Sequence, residues 1–357
     1  MKKLNLAIIG QGRSGKDIHG TYYRSEANKY YNVKYVVDED AHRRAVSEEI
    51  YPGCKTFSDY RELFNIDDID VVVNATYSNL HCEITLDLLK HGKNVLVEKP
   101  FARTKYECEN MIKTAKENGV HLAVFQQAFY APIYLKTKEI LDSGIIGKVK
   151  QISLRYNGFS RRWDWQTLQK RVAGNAYNTG PHPIGMGLGF IDFPEDLKVV
   201  YSKLDNTPMC AGDSDDYAKI LFTGKDKALV DIEINNIDAF PSYTIKAQGT
   251  MGTYLCTQLD YKIKYCVEGE NVERAPIDTF LYDEQLNPAY CGEKFITHEE
   301  TGKFDGTPFD VGTAGLYEDM YYALTEGRPM MISPANCADV IQIIECAHAE
   351  NPLPVKF

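Results

Sequence analysis

The segment Leu4-Asn5-Leu6-Ala7-Ile8-Ile9-Gly10-Gln11-Gly12-Arg13-Ser14-Gly15 gives the strongest indication of the fold. Its apolar run predicts a strand, and the glycines form a GxGxxG pattern at the turn into a helix predicted over 15–25. Gly10 permits a tight turn, Gly12 lets the backbone approach a pyrophosphate, and Gly15 allows close helix packing. These glycines, with Arg13 and Ser14 between them, predict a dinucleotide-binding turn.

The first third of the chain repeats a strand–helix pattern. Its strands are continuous apolar runs, which indicates burial on both faces and therefore a doubly wound parallel sheet covered by helices, an α/β fold. A capping box at Thr104 and Glu107 begins the last of these helices, and Gly119 ends it. The predicted strands are Leu4–Ile9, Val33–Val37, Asp70–Ala75, Asn94–Val97 and Val120–Phe125, and the predicted helices are Gly15–Ser25, Ala41–Ile50, Ser58–Phe64, His81–His91 and Lys105–Asn118.

An acidic residue, Asp38, ends the second predicted strand, where its carboxylate would accept hydrogen bonds from an adenosine ribose. The same charge would repel a 2′-phosphate, so the sequence favours NAD over NADP. Two alternatives stay open, because Asp also suits turns and helix caps, and because Arg43 and Arg44 could accept a 2′-phosphate.

Glu98-Lys99-Pro100 follows the fourth predicted strand. In open α/β sheets, ligands bind at the carboxyl ends of the strands. A lysine held at that edge between an acid and a rigid proline therefore indicates chemistry rather than a surface charge.

Bulk composition excludes several classes of protein. A chain of 357 residues is long enough for two domains, and its formal net charge of −10 argues against binding nucleic acid or an anionic membrane. Its apolar N-terminus is too short for a signal peptide and is better interpreted as the first strand. Nine scattered cysteines predict reduced thiols in a cytoplasmic protein, and the histidines and cysteines show no metal-ligand spacing, so we expect no metal.

The chain resembles the Gfo/Idh/MocA oxidoreductases, the family of glucose–fructose oxidoreductase and inositol dehydrogenase. The resemblance implies a nucleotide domain over 1–125 and a substrate and oligomerisation domain over 126–357, with a large, mostly antiparallel open sheet. Strands predicted at Val149–Asn157, Lys198–Leu204, Asp216–Phe222, Ala228–Ile234 and Tyr243–Ala247 agree with it. The motifs that carry the resemblance are the glycine turn, Glu98-Lys99-Pro100, Ala75-Thr76 with His81, Ile145-Ile146-Gly147-Lys148, Asn178-Thr179-Gly180-Pro181-His182, Gln248-Gly249-Thr250-Met251-Gly252-Thr253 and the closing helix Asn336–Ala349.

The resemblance implies that Lys99 and His182 are the catalytic residues. Lys99 would lie beside the nicotinamide and bond the reacting hydroxyl, and His182 would share the proton transfer. Asn178 departs from the family, which often carries an aspartate there, so its amide would orient substrate rather than act as a base. Gly185 and Phe129 also replace common family residues.

The remaining site residues follow from the same resemblance. Substrate is expected on a polar and aromatic surface, and the cofactor on residues near the sheet edge. The predicted substrate-binding residues are Tyr156, Arg162, Trp163, Trp165, Gln166 and Asn178, and the further cofactor-binding residues are Thr76, Asn79, His81, Glu98, Lys99 and Gln127.

The expected function is NAD-dependent oxidation or reduction of a secondary alcohol in a sugar, sugar derivative or cyclitol. One alternative is a glycoside-cleaving enzyme that oxidises its sugar transiently and then returns the hydride. Another is a non-catalytic dinucleotide sensor, against which Lys99 and His182 argue. The resemblance also implies a homodimer or homotetramer formed through the C-terminal sheet.

Overall fold

The computed structural model describes residues 2–273, 285 and 294–357. Its first sheet has six parallel strands in the order β3-β2-β1-β4-β5-β6, which confirms the predicted doubly wound arrangement. The strands are β1 (Leu4–Ile9), β2 (Tyr31–Val37), β3 (Lys55–Phe57), β4 (Val71–Asn74), β5 (Val95–Val97) and β6 (Leu122–Val124).

Helices connect these strands and cover the sheet. The predicted helix after the glycine turn is a π-helix, Arg13–His19, followed by a short α-helix, and the helix predicted over Ser58–Phe64 is a 3₁₀ turn, Tyr60–Leu63. Thr104 accepts a hydrogen bond from the Glu107 backbone, as its capping box predicts. The α-helices of this part are α1 (Gly20–Arg24), α2 (Ala41–Ile50), α3 (His81–Lys90) and α4 (Lys105–Glu117).

The second sheet has eight strands in the order β14-β13-β12-β11-β7-β10-β9-β8. Only β7 and β10 pair in parallel among its described strands, so the expectation of a mostly antiparallel sheet is confirmed. The strands are β7 (Val149–Asn157), β8 (Lys198–Asp205), β9 (Tyr217–Thr223), β10 (Leu229–Asn235), β11 (Ile245–Gly249), β12 (Gly252–Cys256), β13 (Asp260–Tyr265) and β14 (His298–Lys303).

Five further α-helices in the described part of the chain pack against this sheet or against helices of the first half. Helix α7 is buried along its length and packs on β7 and β10, while α8 returns to contact α1, and α9 lies against α4. These helices are α5 (Pro132–Ser143), α6 (Asn175–Asn178), α7 (Pro181–Phe190), α8 (Pro308–Glu326) and α9 (Pro334–Glu350). No helix in the described part of the chain is long and apolar enough to cross a membrane.

Candidate functional site

The glycine turn connects β1 to the π-helix. Gly10 has φ +90°, and a Cβ there would lie 2.6 Å from the Ala75 carbonyl oxygen. A Cβ on Gly15 would lie 1.8 Å from the Gly10 oxygen, so both glycines are required by close backbone approach. A Cβ on Gly12 would meet nothing within 4 Å. Gly12 therefore borders open space above the turn, where a pyrophosphate could approach.

Two polar side chains flank this turn. Asp38 accepts hydrogen bonds from the backbone N–H groups of Gln11 (2.7 Å) and Asp40 (2.9 Å). The carboxylate thereby joins the end of β2 to the glycine turn, with Arg43 Nη1 at 3.6 Å. The Gln11 side chain is buried, and its amide nitrogen and oxygen have no hydrogen-bond partner within the described residues. Sequence reasoning did not identify Gln11.

Lys99 and Glu98 follow β5 at the carboxyl edge of the first sheet. Glu98 is buried and accepts a hydrogen bond from the Lys99 backbone N–H at 2.9 Å. The Lys99 side chain crosses to the second half of the molecule, where Nζ donates to the Asn178 carbonyl oxygen at 2.9 Å. Burial lowers the pKa of the Lys99 ammonium, and Arg162 and Arg13 add to this effect while Glu98 opposes it.

Asn178 ends α6 and holds Lys99 through its backbone. Its side-chain oxygen accepts a hydrogen bond from Gln166 Nε2 at 2.7 Å. The structure thus brings together three predicted site residues from three segments of the chain. Since Asn178 contacts Lys99 with its carbonyl oxygen, exchange of the family's aspartate for an amide does not remove the lysine's partner.

His182 lies in the first turn of α7. Its Nδ1 is buried without a hydrogen-bond partner among the described residues. Burial lowers the pKa of His182 from its ordinary value of 6.5 to about 3, and the charge of Lys99 acts in the same direction. The imidazole is therefore neutral near neutral pH and presents one nitrogen for a hydrogen bond.

The lowered pKa of His182 predicts an acid-sensitive fold. Between pH 6.5 and about 3 the unfolded chain binds a proton at this residue that the folded chain excludes. Stability contributed by His182 is thus present above pH 6.5 and lost as the pH falls, with a slope of up to about 1.4 kcal/mol per pH unit. Urea unfolding from pH 7 to pH 4 should show a shallower decline for His182→Gln than for the natural protein. Parallel declines would contradict this account.

Aromatic and cationic contacts join one segment of the first half of the chain to one segment of the second half. Trp165 packs edge to face on Tyr77, with ring centroids 5.0 Å apart. The Arg171 guanidinium lies over the Tyr77 ring at 4.6 Å, and its Nη1 donates to Asn79 Oδ1 at 3.4 Å. These contacts connect the segment after β4 with the segment before α6. Sequence reasoning missed Tyr77 and Arg171, because no local motif marks them.

His81 and Thr76 support the loop around Pro100. The His81 ring is buried, with Nδ1 2.7 Å from the Pro100 carbonyl oxygen and Nε2 3.3 Å from that of Thr76. Burial lowers the pKa of His81, although these carbonyl contacts oppose the effect. The structure shows both ring nitrogens directed at the backbone, so a direct contact between His81 and a cofactor stays a prediction.

The other predicted residues have different surroundings. Tyr156 and Thr179 line a cleft of about 530 Å³ at the ends of β7, β11 and β12. Trp163 is 86% exposed and is not brought to this cleft. Arg162 pairs with Asp164 at 3.1 Å, and Gln127 Oε1 is buried without a partner among the described residues. Substrate contacts by Tyr156, Arg162 and Trp163 stay predictions.

A dinucleotide fits the residues present. Open space above Gly12 and the unpartnered amides of Gln11 and Gln127 are features that a large polar ligand would satisfy. The described residues contain no group of three or more His, Cys, Asp or Glu arranged to hold a metal ion. No disulfide joins the eight described cysteines, while Cys291 lies outside the described residues.

Comparison with known families agrees with this geometry. Residues 4–126 match the Gfo/Idh/MocA oxidoreductase family, NAD-binding Rossmann fold, and residues 134–255 match the GFO/IDH/MocA C-terminal domain. The chain therefore belongs to the Gfo/Idh/MocA family of NAD(P)-binding oxidoreductases, as its motifs predicted.

Curated relatives are distant and differ in activity. The 2,7-anhydro-N-acetylneuraminate hydratase of Mediterraneibacter gnavus is 24% identical over 256 residues, 71% of this chain and 67% of that protein. The scyllo-inositol 2-dehydrogenase (NADP(+)) IolW of Bacillus subtilis is 25% identical over 194 residues, 54% of each chain.

Solved structures share the fold along nearly the whole chain. GenD2 from gentamicin A biosynthesis, in complex with NAD, has a TM-score of 0.76 at 21% identity, covering 98% of this chain and 94% of its own. KijD10, a 3-ketoreductase from Actinomadura kijaniata in complex with NADP and TDP-benzene, has a TM-score of 0.77 at 16% identity and covers 98% of both chains. At these identities the likeness shows the fold alone.

Proposed function

We propose that this protein transfers a hydride between NAD and a secondary alcohol of a sugar, sugar derivative or cyclitol. The observation that carries the proposal is the position of Lys99, whose Nζ is fixed at 2.9 Å from the Asn178 oxygen at the carboxyl edge of a dinucleotide-binding sheet. When bound, NAD⁺ supplies a nicotinamide ring able to accept the hydride. The protein's own part is to hold the alcohol and move its proton.

Lys99 is the proposed proton carrier. Because burial lowers its pKa, Lys99 gives up its proton more readily than an exposed lysine and can act as a neutral amine. That amine donates one hydrogen to Asn178 while its lone pair accepts the proton of the reacting hydroxyl. His182, neutral and with an unpartnered Nδ1, is a weaker base. We assign it to bonding and orienting that hydroxyl.

The substrate class is supported by the polar residues around Lys99 and by relatives. Gln166 and Asn178 offer amide groups beside Lys99, and Trp165 supplies an aromatic ring that packs on Tyr77. Hydroxyl-rich rings bind to such mixed surfaces through hydrogen bonds and stacking. The relatives' names include a cyclitol dehydrogenase and a ketoreductase, which favours an alcohol or ketone on a ring.

The direct test incubates the protein with NAD⁺ and a panel of sugars, cyclitols and glycosides. We expect NADH to accumulate together with a product two mass units lighter than its substrate. A panel without NADH and without any altered product would refute the proposed function.

We attribute the preference for NAD over NADP to the Asp38 carboxylate. Substitution of the neighbouring Arg43 tests how this preference is set. Arg43 is half exposed, and its Nη1 lies 3.6 Å from the Asp38 carboxylate. It is the cation best placed to bind a 2′-phosphate. We expect the natural protein to favour NAD⁺, and Arg43→Ala to raise that preference by about tenfold, equivalent to about 1.4 kcal/mol. Steady-state kinetics with both cofactors measures the ratio. An unchanged ratio would remove Arg43 from cofactor selection.

A second candidate is transient oxidation with return of the hydride, giving glycoside cleavage or a related reaction without net redox. The hydratase among the relatives favours it, because its name describes addition of water rather than a change of oxidation state. Product of altered connectivity without accumulated NADH would select this candidate over a simple dehydrogenase.

We also propose that the protein forms a homodimer or homotetramer through the uncovered face of the eight-stranded sheet. We further propose that it is cytoplasmic and that its two domains meet after residue 125. That face carries a compact set of ion pairs, in which Asp231 bonds Arg155 and Lys219, each at 2.6 Å. Charges already paired in this way can be buried against a second copy at lower cost. Light scattering during size-exclusion chromatography would test the assembly.

A further inference from the structure

A buried chain of hydrogen-bonding side chains lies beneath the catalytic lysine. Tyr23 donates to the Tyr317 hydroxyl, which lies 2.7 Å from His19 Nδ1. His19 Nε2 lies 3.1 Å from Glu98 Oε1, within ion-pair distance but not aligned for a hydrogen bond, and Glu98 Oε2 accepts the Lys99 backbone N–H at 2.9 Å. The side chains of His19 and Glu98 are 0% and 4% exposed.

The hydrogen bond from Tyr23 to Tyr317 sets the direction of the next contact. Because the Tyr23 hydroxyl is used as donor to Tyr317, the Tyr317 hydrogen is available for His19 Nδ1. When Nδ1 accepts this hydrogen, the ring hydrogen lies on Nε2, the nitrogen that is 3.1 Å from Glu98. In this arrangement Tyr317 favours the His19 tautomer whose Nε2 hydrogen lies on the side of the Glu98 carboxylate.

These residues come from segments far apart in sequence. His19 belongs to the π-helix that follows the glycine turn, and Glu98 follows β5. Tyr317 belongs to α8, more than two hundred residues later, and is held there by a hydrogen bond from Tyr31 to its backbone oxygen at 2.9 Å. This series of contacts therefore ties α8 and the π-helix after the glycine turn to the segment that carries Lys99.

We propose that Tyr317 and His19 are positioning residues that hold the Glu98 carboxylate in place. Through this carboxylate they set the backbone position and the proton affinity of Lys99. This inference rests on the proposed role of Lys99 in proton transfer. Helix α8 lies far from the glycine turn and from Lys99 in sequence. Through Tyr317 it would nevertheless help to position the Lys99 amine.

The electrostatics explain why the position of Glu98 matters. Burial by itself would raise the pKa of Glu98, but the contact with His19 and the charge of Lys99 hold that pKa below the ordinary value. The resulting negative charge opposes the depression of the Lys99 pKa. Looser placement of Glu98 should therefore lower the Lys99 pKa further. The titratable or charged groups around Lys99 are Glu98, His81 on α3, Arg13 on the π-helix, Arg162 before α6 and His182 on α7.

Tyr317→Phe tests the proposal, and Tyr22→Phe is its matched control. Tyr22 stacks on Tyr317 with ring centroids 4.5 Å apart, and its buried hydroxyl has no partner within the described residues. Both substitutions remove one buried hydroxyl from the same cluster. Only Tyr317→Phe removes the hydroxyl that contacts His19, and through His19 the Glu98 carboxylate.

The first readout is competitive acetylation of the lysines across a pH series, read by mass spectrometry, because it reports Lys99 without requiring turnover. We expect the Lys99 labelling midpoint to fall by about half a pH unit or more in Tyr317→Phe and to stay fixed in Tyr22→Phe. The second readout is kinetic: because Lys99 is held less firmly beside the reacting hydroxyl, kcat should fall about tenfold while KM for NAD⁺ stays within about threefold.

An unchanged Lys99 midpoint in folded Tyr317→Phe overturns the proposal. If that variant does not fold, Glu98→Gln takes its place, because it keeps an oxygen for the Lys99 N–H but removes the charge. The Lys99 labelling midpoint must then fall. An unchanged midpoint in Glu98→Gln overturns the proposal equally. A shifted midpoint combined with full turnover of Lys99→Ala would instead preserve the positioning role and refute the proposed role of Lys99.

Discussion

Replacement of Lys99 by alanine is expected to lower turnover by roughly 10²–10⁴-fold, the usual effect of removing a general acid–base group. The amine that contacts Asn178 at the sheet edge is lost, whereas the glycine turn and Asp38 are untouched. Dinucleotide affinity should therefore stay within a few-fold of the natural value. Turnover and NAD⁺ affinity would be measured on the same preparation, with the substrate that the panel identifies.

Lys113→Ala is the appropriate control for this experiment. Lys113 lies on α4 with its side chain 73% exposed, paired only loosely with Glu117 at 3.7 Å. Its removal should change neither turnover nor affinity. If Lys99→Ala retained turnover within a factor of ten, the proton would have to move through another group, and the assignment of Lys99 would be wrong.

Alanine at Gly12 should reduce dinucleotide affinity by at least about tenfold, or about 1.4 kcal/mol, without destabilising the protein. Gly12 has φ −72°, which alanine adopts readily, and an added Cβ meets no protein atom within 4 Å. The methyl group would instead fill the space into which we place the pyrophosphate. Calorimetric titration with NAD⁺ and urea unfolding without cofactor separate the two effects.

Gly15→Ala is the matched comparison, since it adds the same methyl group against protein backbone rather than into open space. A Cβ at Gly15 would lie 1.8 Å from the Gly10 oxygen. Relief of that overlap should cost about 3 kcal/mol of unfolding free energy or more. Equal losses of stability in both variants, or undiminished NAD⁺ binding by Gly12→Ala, would show that the turn does not cradle the cofactor as we describe.

Much of the fold could be predicted because its signals are local. Leu4–Ile9, Ala41–Ile50 and Val149–Asn157 have the predicted bounds, since apolar runs and flanking turn residues mark both ends. The π-helix at Arg13–His19 was not predicted, because its hydrogen-bond pattern has no sequence signature. Four strands were also missed: β3, β12, β13 and β14. Strand β3 is only three residues long, and β13 and β14 are mostly polar and exposed.

Residues of the candidate site could be predicted from the sequence only where they belong to a recognisable motif. Lys99, Asn178 and Gln166 were identified from sequence, and the structure brings them into contact. The backbone role of Asn178 was not foreseen, since a residue type indicates its side chain and says nothing of its carbonyl. His19 and Tyr317 were missed for a different reason. Their contact joins positions 298 residues apart, and no local pattern records such a pairing.

Hydride tracing tests the central claim most directly. A panel sugar deuterated at its reacting carbon would be mixed with protein and NAD⁺ in equal amounts, quenched after a single turnover, and analysed by mass spectrometry. We predict that the reduced cofactor carries the deuterium, and that Lys99→Ala forms it at least about a hundredfold more slowly. Product formed while no deuterium reaches the cofactor would contradict hydride transfer at this site.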